Sequence, residues 1–183
     1  MARVLVPLAE GCEELEAVTI IDLLRRAGIE VTSAGLRPGP VRASRGTVLL
    51  PDATLDDAAK YDYDMVVLPG GLPGADYLRK DGRVRAMLTR TVERGKFVAA
   101  ICAAPRVLAE AGLLTGKRAT GFPGTLDGVI GVNLRPEPVV RDGLIVTSRG
   151  PGTAMDFALE LIELLSSRAK RDEVEAALQR PGK

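Results

Sequence analysis

Short apolar runs alternate with longer stretches of helical periodicity along this chain. Val4 to Leu8 reads as a first strand, and Glu13 to Ala27 as an amphipathic helix stopped by Gly28. Ile29 to Ala34 reads as a second strand. A Pro/Gly-rich loop follows at Arg37 to Pro40, and then a hairpin across Val41 to Leu50 that turns near Arg45-Gly46. Met65 to Leu68 is a short, wholly apolar strand ending in Pro69-Gly70-Gly71, and Val84 to Arg94 is helical. Phe97 to Ile101 is another apolar strand, followed by a helix from Ala103 to Leu114. Beyond a less regular stretch, Leu144 to Thr147 makes a last strand. Thr153 to Leu165 is a strongly apolar helix, and Arg168 to Leu178 a short, charged surface helix.

Strands alternating with helices of this length predict a doubly wound α/β sheet with right-handed crossovers. Ligands on such sheets sit beyond the carboxyl ends of the strands. Three unusual segments fall at such ends: Glu10 to Glu16, Pro69 to Gly71, and Cys102 to Pro105. Their convergence predicts a site.

Composition narrows the chemistry. The 183 residues suit one domain spanning 1–183. Hydrophobic residues make up 46% but aromatics only 3%, so the core must be built from Ala, Val, Leu and Ile, a palette that fits a sheet buried on both faces. The net charge of +1 gives no global field to recruit nucleic acid or an anionic membrane, and the arginines are scattered rather than clustered. No apolar run is long enough to span a bilayer, and Met1 to Leu8 reads as a strand rather than a signal peptide. Two cysteines make no disulfide framework, so a reducing, cytoplasmic setting is expected. The absence of histidine removes Ser-His-Asp and Cys-His triads and imidazole metal sites, and two cysteines are too few for a thiolate cage. Catalysis must then run on Cys, carboxylates, Lys, Tyr, hydroxyls and backbone dipoles, and no metal or cofactor is expected.

In Ala100-Ile101-Cys102-Ala103-Ala104-Pro105 a buried strand runs into a helix with a candidate nucleophile at the junction. A tight nucleophile elbow needs small residues two before and two after, here Ala100 and Ala104, and Pro105 fits a first helical turn. A thiol there faces the helix N-terminus, which predicts a lowered pKa; the plainer reading is a small buried hydrophobe. On a helical wheel both Glu13 and Glu16 fall inside the apolar sector of Ala17, Ile20, Leu23, Leu24 and Ala27. A carboxyl buried there would be raised toward neutrality and able to move protons. The wheel does not choose between the two. Glu14, at the sector's edge, suits the helix dipole. Gly70-Gly71 can turn N–H groups outward as oxyanion donors, or simply make a tight turn; no Gly-Lys-Ser/Thr follows, so it is no phosphate loop. The acidic run Glu10 to Glu16 argues against a flavin phosphate at the first strand. Cys12 is placed in an exposed turn with no assigned role. Ser148 to Thr153 reads as a cap for the next helix, a site wall or a subunit contact.

Together, Ala9 to Glu16, Asp22 through Gly28, Ser44-Arg45, Val67 to Gly71, Ala99 to Pro105 and Thr147 to Thr153 resemble the ThiJ/PfpI superfamily, in its branch of Parkinson-disease-associated and bacterial YajL-like proteins. The resemblance spans nearly the whole chain. It implies a flavodoxin-like, mostly parallel sheet sandwiched by helices, related to class I glutamine amidotransferases, and a homodimer. It carries the family's nucleophile to Cys102, its protonated glutamate partner to Glu16, and oxyanion donors to Gly70, Gly71 and Ala103. Arg45, Arg149 and Pro151 correspond to interface residues, with Arg45 approaching the partner's site. The eukaryotic branch has a histidine near the cysteine in a Thr-His-Pro stretch; here Phe122 occupies that slot, as in YajL-like proteins. The implied activity is on dicarbonyls such as methylglyoxal, or on their early adducts with proteins or nucleotides, of the glyoxalase III or deglycase type. A redox-responsive chaperone or sensor working through oxidation of Cys102 is the alternative, an inactive relict scaffold a weaker third. A PfpI-type protease is disfavoured because no histidine can complete its diad.

Overall fold

Each buried strand serves two cores at once. Val4, Val6 and Leu8 of β1 (Arg3–Leu8) face one hydrophobic layer, while Leu5 and the following Ala9 face the other. The same period of two places Met65 and Val67 of β6 (Met65–Leu68) on the first side and Val66 and Leu68 on the second. Such strands are apolar throughout because neither face meets water.

A computed structural model describes residues 1–181. In chain order, β1 leads into α1 (Glu14–Arg26), β2 (Glu30–Gly35), a small hairpin of β3 (Val41–Arg42) and β4 (Val48–Leu49), β5 (Ala53–Thr54) and α2 (Leu55–Ala58). Then come β6, α3 (Gly74–Lys80), α4 (Gly82–Glu93), β7 (Phe97–Ile101) and α5 (Pro105–Glu110). The rest comprises β8 (Arg118–Ala119), β9 (Asn133–Leu134), β10 (Val139–Asp142), β11 (Ile145–Ser148), a 3-10 turn at Pro151–Thr153, α6 (Ala154–Leu165) and α7 (Arg168–Ala177).

Among the described residues the main sheet runs β10-β11-β7-β6-β1-β2-β5, parallel except for the antiparallel β10–β11 pair. This is the mostly parallel, helix-sandwiched sheet expected. α1, α6 and α7 cover one face, and α2 to α5 the other. The chain steps outward from β1 to β2 and β5, then crosses back to β6 on the other side of β1. That reversal opens a crevice at the carboxyl ends of β1 and β6.

Several elements differ from the sequence reading. The helix expected from Ala103 to Leu114 is only six residues, Pro105–Glu110, because Cys102 to Ala104 are committed to a turn. α3 had no signal: it opens on Gly-Ala after Pro73 and is too short for a periodic pattern. β10 leaves no apolar run in the sequence because it is an edge strand interrupted by the exposed Arg141. The hairpin turns at Arg45-Gly46 as expected, with Val41 opposite Leu49. No helix among the described residues is long and apolar enough to cross a membrane.

Candidate active site

Strand register sets the height at which the site residues emerge. β6 and β7 pair with Leu68 opposite Ala100, so Gly70 and Cys102, each two residues further on, leave the sheet side by side. A Cβ on Gly70 would lie 2.6 Å from the Cys102 Cβ and 2.8 Å from Glu16 Oε2. Only glycine fits between these two side chains. Gly71 adopts φ +89°, and a Cβ there would fall 2.3 Å from the Glu13 nitrogen.

Cys102 itself has φ +64°, a left-handed conformation that costs a side-chain-bearing residue about 1–2 kcal/mol. Hydrogen bonds on both sides hold it there. Its N–H donates to the Ser148 carbonyl on β11 at 3.0 Å, and its carbonyl accepts from the Phe122 N–H at 2.8 Å. Ala100 and Ala104, both fully buried, leave room for the sharp turn. Strain held by such over-determination is characteristic of functional sites. The thiol remains partly accessible.

Glu16 is 0% exposed in the first turn of α1, whereas Glu13 sits half-buried at the helix N-cap. The choice the wheel left open is settled by packing. Glu16 Oε2 accepts from the Gly70 N–H at 2.8 Å, while Oε1 is buried without a hydrogen-bond partner. An ionised carboxylate so placed is costly, and burial pushes Glu16 from an ordinary 4.5 up to about 7, although the Gly70 N–H and Cys102 pull it down.

Cys102 corrects an expectation. Burial first, and then the neighbouring Glu16 charge, push its thiol up to about 12, against the pull of the Gly71 and Ala103 N–H groups. The helix dipole does not win, because α5 begins three residues later and is a turn and a half long. Cys102 is therefore no free-standing thiolate. It shares its ionisation with Glu16: the first proton leaves the pair near neutrality, chiefly from the carboxyl, while the thiol keeps its own.

Cys12 is a second correction. It is 0% exposed rather than on an exposed turn, and burial followed by the Glu14 charge pushes it up to about 12. The turn lies under α3, where a Cβ on Gly74 would meet the Cys12 nitrogen at 2.6 Å.

The remaining residues singled out by sequence lie around this pair. Phe122, 51% exposed, is tied to Cys102 through its backbone, and its ring approaches Gly150. Arg45 sits exposed at the hairpin tip. Its N–H donates to Glu14 Oε1 at 3.0 Å, and its guanidinium has no partner among the described residues. Glu14 thus does more than suit a dipole. Although burial raises its pKa, its own backbone N–H, those of Arg45 and Thr47 and the Ser44 hydroxyl bring it down to about 2. Arg149 is exposed, its side chain donating to the Pro136 carbonyl at 3.2 Å, and Pro151 is half-buried in the 3-10 turn. Thr153 does not cap α6 with its side chain. Its hydroxyl bonds back to Gly150 and to Ser148 Oγ at 2.7 Å, bracing the segment whose carbonyl holds Cys102. Nothing in the local sequence signalled that brace, because it depends on β11 lying beside β7.

Comparison with known proteins gives the family. The DJ-1/PfpI family model matches residues 2–164. Protein dj-1beta of Drosophila melanogaster is 44% identical over 177 residues, covering 95% of each chain. The glutathione-independent glyoxalase DJR-1.2 of Caenorhabditis elegans is 33% identical over 175 residues, covering 94% of this chain and 92% of its own. The solved structure of oxidised Toxoplasma gondii DJ-1 superposes with a TM-score of 0.95 at 40% identity, covering 99% of this chain and 100% of that one. With a family match over most of its length, and relatives aligned almost end to end, the chain belongs to the DJ-1/PfpI family.

Proposed function

We propose that the protein is a cysteine-dependent enzyme acting on small reactive dicarbonyls such as methylglyoxal, or on their early adducts with thiols and amines. The observation that carries this reading is Cys102, strained at φ +64° against a fully buried Glu16 that has an unpartnered oxygen. Its likeness to a glutathione-independent glyoxalase supports it.

The chemistry follows from the pair. The Cys102 sulfur bonds to the aldehyde carbon, the thiol proton passes to Glu16, and the carbonyl electron pair moves onto oxygen. The Gly71 and Ala103 N–H groups beside the sulfur stabilise that oxyanion, and Glu16 protonates it to a hemithioacetal. Glu16 then carries the aldehyde-carbon proton to the neighbouring carbonyl carbon, giving a thioester of lactate. Water cleaves the thioester, releasing lactate and the free thiol. No oxidant or reductant is consumed. On an amine or thiol adduct the former aldehyde carbon is already saturated, so the Cys102 sulfur would displace the amine or thiol there. The C–N or C–S bond breaks as the proton taken up by Glu16 passes to the leaving group; the product is the same hemithioacetal, and this is the deglycase outcome. Purified protein given methylglyoxal is expected to form lactate catalytically, with Cys102→Ala inactive. Lactate formation that persists in Cys102→Ala, or none from wild type, overturns the proposal.

A second reading, oxidation sensing, is favoured by the partial exposure of Cys102 next to a carboxyl able to donate to a sulfinate. Both cysteines are pushed up to about 12, so thiolate fraction does not distinguish them and exposure must. Graded peroxide should add two oxygens to Cys102 while Cys12 stays reduced. Peptide mass mapping that finds Cys12 modified first would contradict this assignment.

We further infer that the protein works as a homodimer through the outer face of α1 and the β3–β4 hairpin. Leu15, Val18, Val48 and Leu50 are exposed there beside the unpartnered Arg45 side chain. Arg45→Ala is expected to weaken dimerisation or lower turnover while leaving the monomer folded. Sedimentation and activity on one sample decide it, and a fully dimeric, fully active variant removes Arg45 from the interface.

A further inference from the structure

A second recess lies beyond the carboxyl ends of β1 and β2, against the α3–α4 junction, and none of the Cys102 site residues lines it. Its volume is about 570 Å³, within the range of small-molecule sites. The floor is apolar: Leu8 and Ala9 are buried and Leu36 half-buried, with the Leu36 N–H bonded to the Leu8 carbonyl at 3.0 Å. Pro38 and Pro40 stiffen one wall, and Tyr77 on α3 forms another, 46% exposed.

Charge in this groove is unevenly spent. Glu10 directs both carboxylate oxygens at the Arg42 N–H, 3.2 Å away. Asp81 is held by Arg83 at 2.6 Å and also caps α4. Arg83 in turn bonds Asp56 at 2.7 Å and the Leu36 carbonyl at 2.9 Å, pinning the loop after β2 to the helical junction. Arg37 and Lys80 are the cations left over. Both are exposed, both line the groove, and neither has a hydrogen-bond or ion-pair partner among the described residues. The walls are thus pre-organised, and among the lining residues three cations, Arg37, Lys80 and Arg83, stand against two carboxylates, Glu10 and Asp81.

We propose that this groove binds a phosphate monoester that carries an aromatic ring system, the class to which nucleoside monophosphates belong. Two unspent cations match a phosphate monoester, which carries a charge of about −1.5 to −2 at neutral pH, better than a singly charged carboxylate. The apolar floor and the Tyr77 ring receive the planar body.

Adenosine monophosphate is the probe, titrated into the full-length protein by calorimetry and by amide chemical-shift mapping. Saturable binding is expected, with shifts confined to residues 8–10, 36–41 and 77–83. Adenosine and inorganic phosphate, tested separately, should each bind roughly tenfold more weakly or worse, since each keeps only part of the contacts. The double variant Arg37→Ala/Lys80→Ala should weaken binding by at least about tenfold and flatten its salt dependence. Its turnover of methylglyoxal without the probe should be unchanged, which keeps this site's failure separate from that of the Cys102 reading. No saturation at millimolar probe, shifts centred on Cys102 and Glu16, or wild-type affinity in the double variant would each overturn the proposal. Both substituted residues are exposed, so the variant keeps its fold, and the shift map on wild type decides independently of it.

Discussion

Glu16→Gln is expected to lower methylglyoxal turnover by about 10²–10⁴ while leaving the fold intact, because the amide fills the same buried slot but cannot exchange a proton. The Gly70 N–H keeps an acceptor in the variant, so the geometry at Cys102 should survive. The reactive form is the Cys102–Glu16 pair after loss of its first proton, so the wild-type rate should rise with pH through about 7 and then level off. In Glu16→Gln that inflection should vanish. Cys102→Ala/Glu16→Gln should be little worse than Cys102→Ala, as groups acting as a unit are not additive. Stability provides a second readout. Glu16 keeps its proton to about 7 in the folded state but ionises near 4.5 when unfolded. Between those values the folded state binds more protons, so this residue makes stability fall as pH rises through the window. The full effect is on the order of 3 kcal/mol, and the glutamine variant should lack it. A variant with wild-type turnover would confine Glu16 to shaping the thiol's surroundings and move the sensor reading ahead.

Gly70→Ala, which adds a single methyl, should be strongly damaging to turnover. Its Cβ would lie 2.6 Å from the Cys102 Cβ, 2.8 Å from Glu16 Oε2 and 2.9 Å from the Ile101 carbonyl oxygen. The Glu16 carboxylate is itself held by the Gly70 N–H, and the Cys102 Cβ and Ile101 carbonyl are fixed by the turn, so the backbone or the pair must move apart. Overpacking of this kind costs about 1–3 kcal/mol. A displacement approaching 1 Å between reacting groups costs about a hundredfold in rate. Turnover should therefore fall much further than stability, as measured by kinetics and thermal unfolding on one preparation. Gly82→Ala is the control: it opens α4 with nothing within 4 Å of the added methyl, and should be neutral or slightly stabilising. An active Gly70→Ala enzyme would show that Cys102 and Glu16 need not be held this close.

Much of this was legible in the amino-acid order. Residues 65–68 and 97–101 are wholly apolar because both sheet faces are covered, and a strand buried on two sides leaves that mark in sequence. The elbow at Cys102 and the paired glycines after β6 were legible for a similar reason: a left-handed turn and a close approach each demand particular small residues at particular positions. Short or edge elements such as α3 and β10 left no such mark, since a few residues with one exposed face carry too little periodicity.

What only the tertiary structure decided is which charges and thiols are buried, and against what. Glu13 and Glu16 share one apolar sector of α1, yet packing against Gly70 buries Glu16 and leaves Glu13 at the cap. Cys12 looked like a surface residue until α3 was placed over it. The direction of the Cys102 shift was likewise beyond a local reading. A helix N-terminus is a local feature and pulls a thiol down, whereas desolvation and the Glu16 charge come from segments far away in sequence and push it up. Ionisation depends on the summed surroundings in three dimensions, and those exist only once the strands have brought the three loops together.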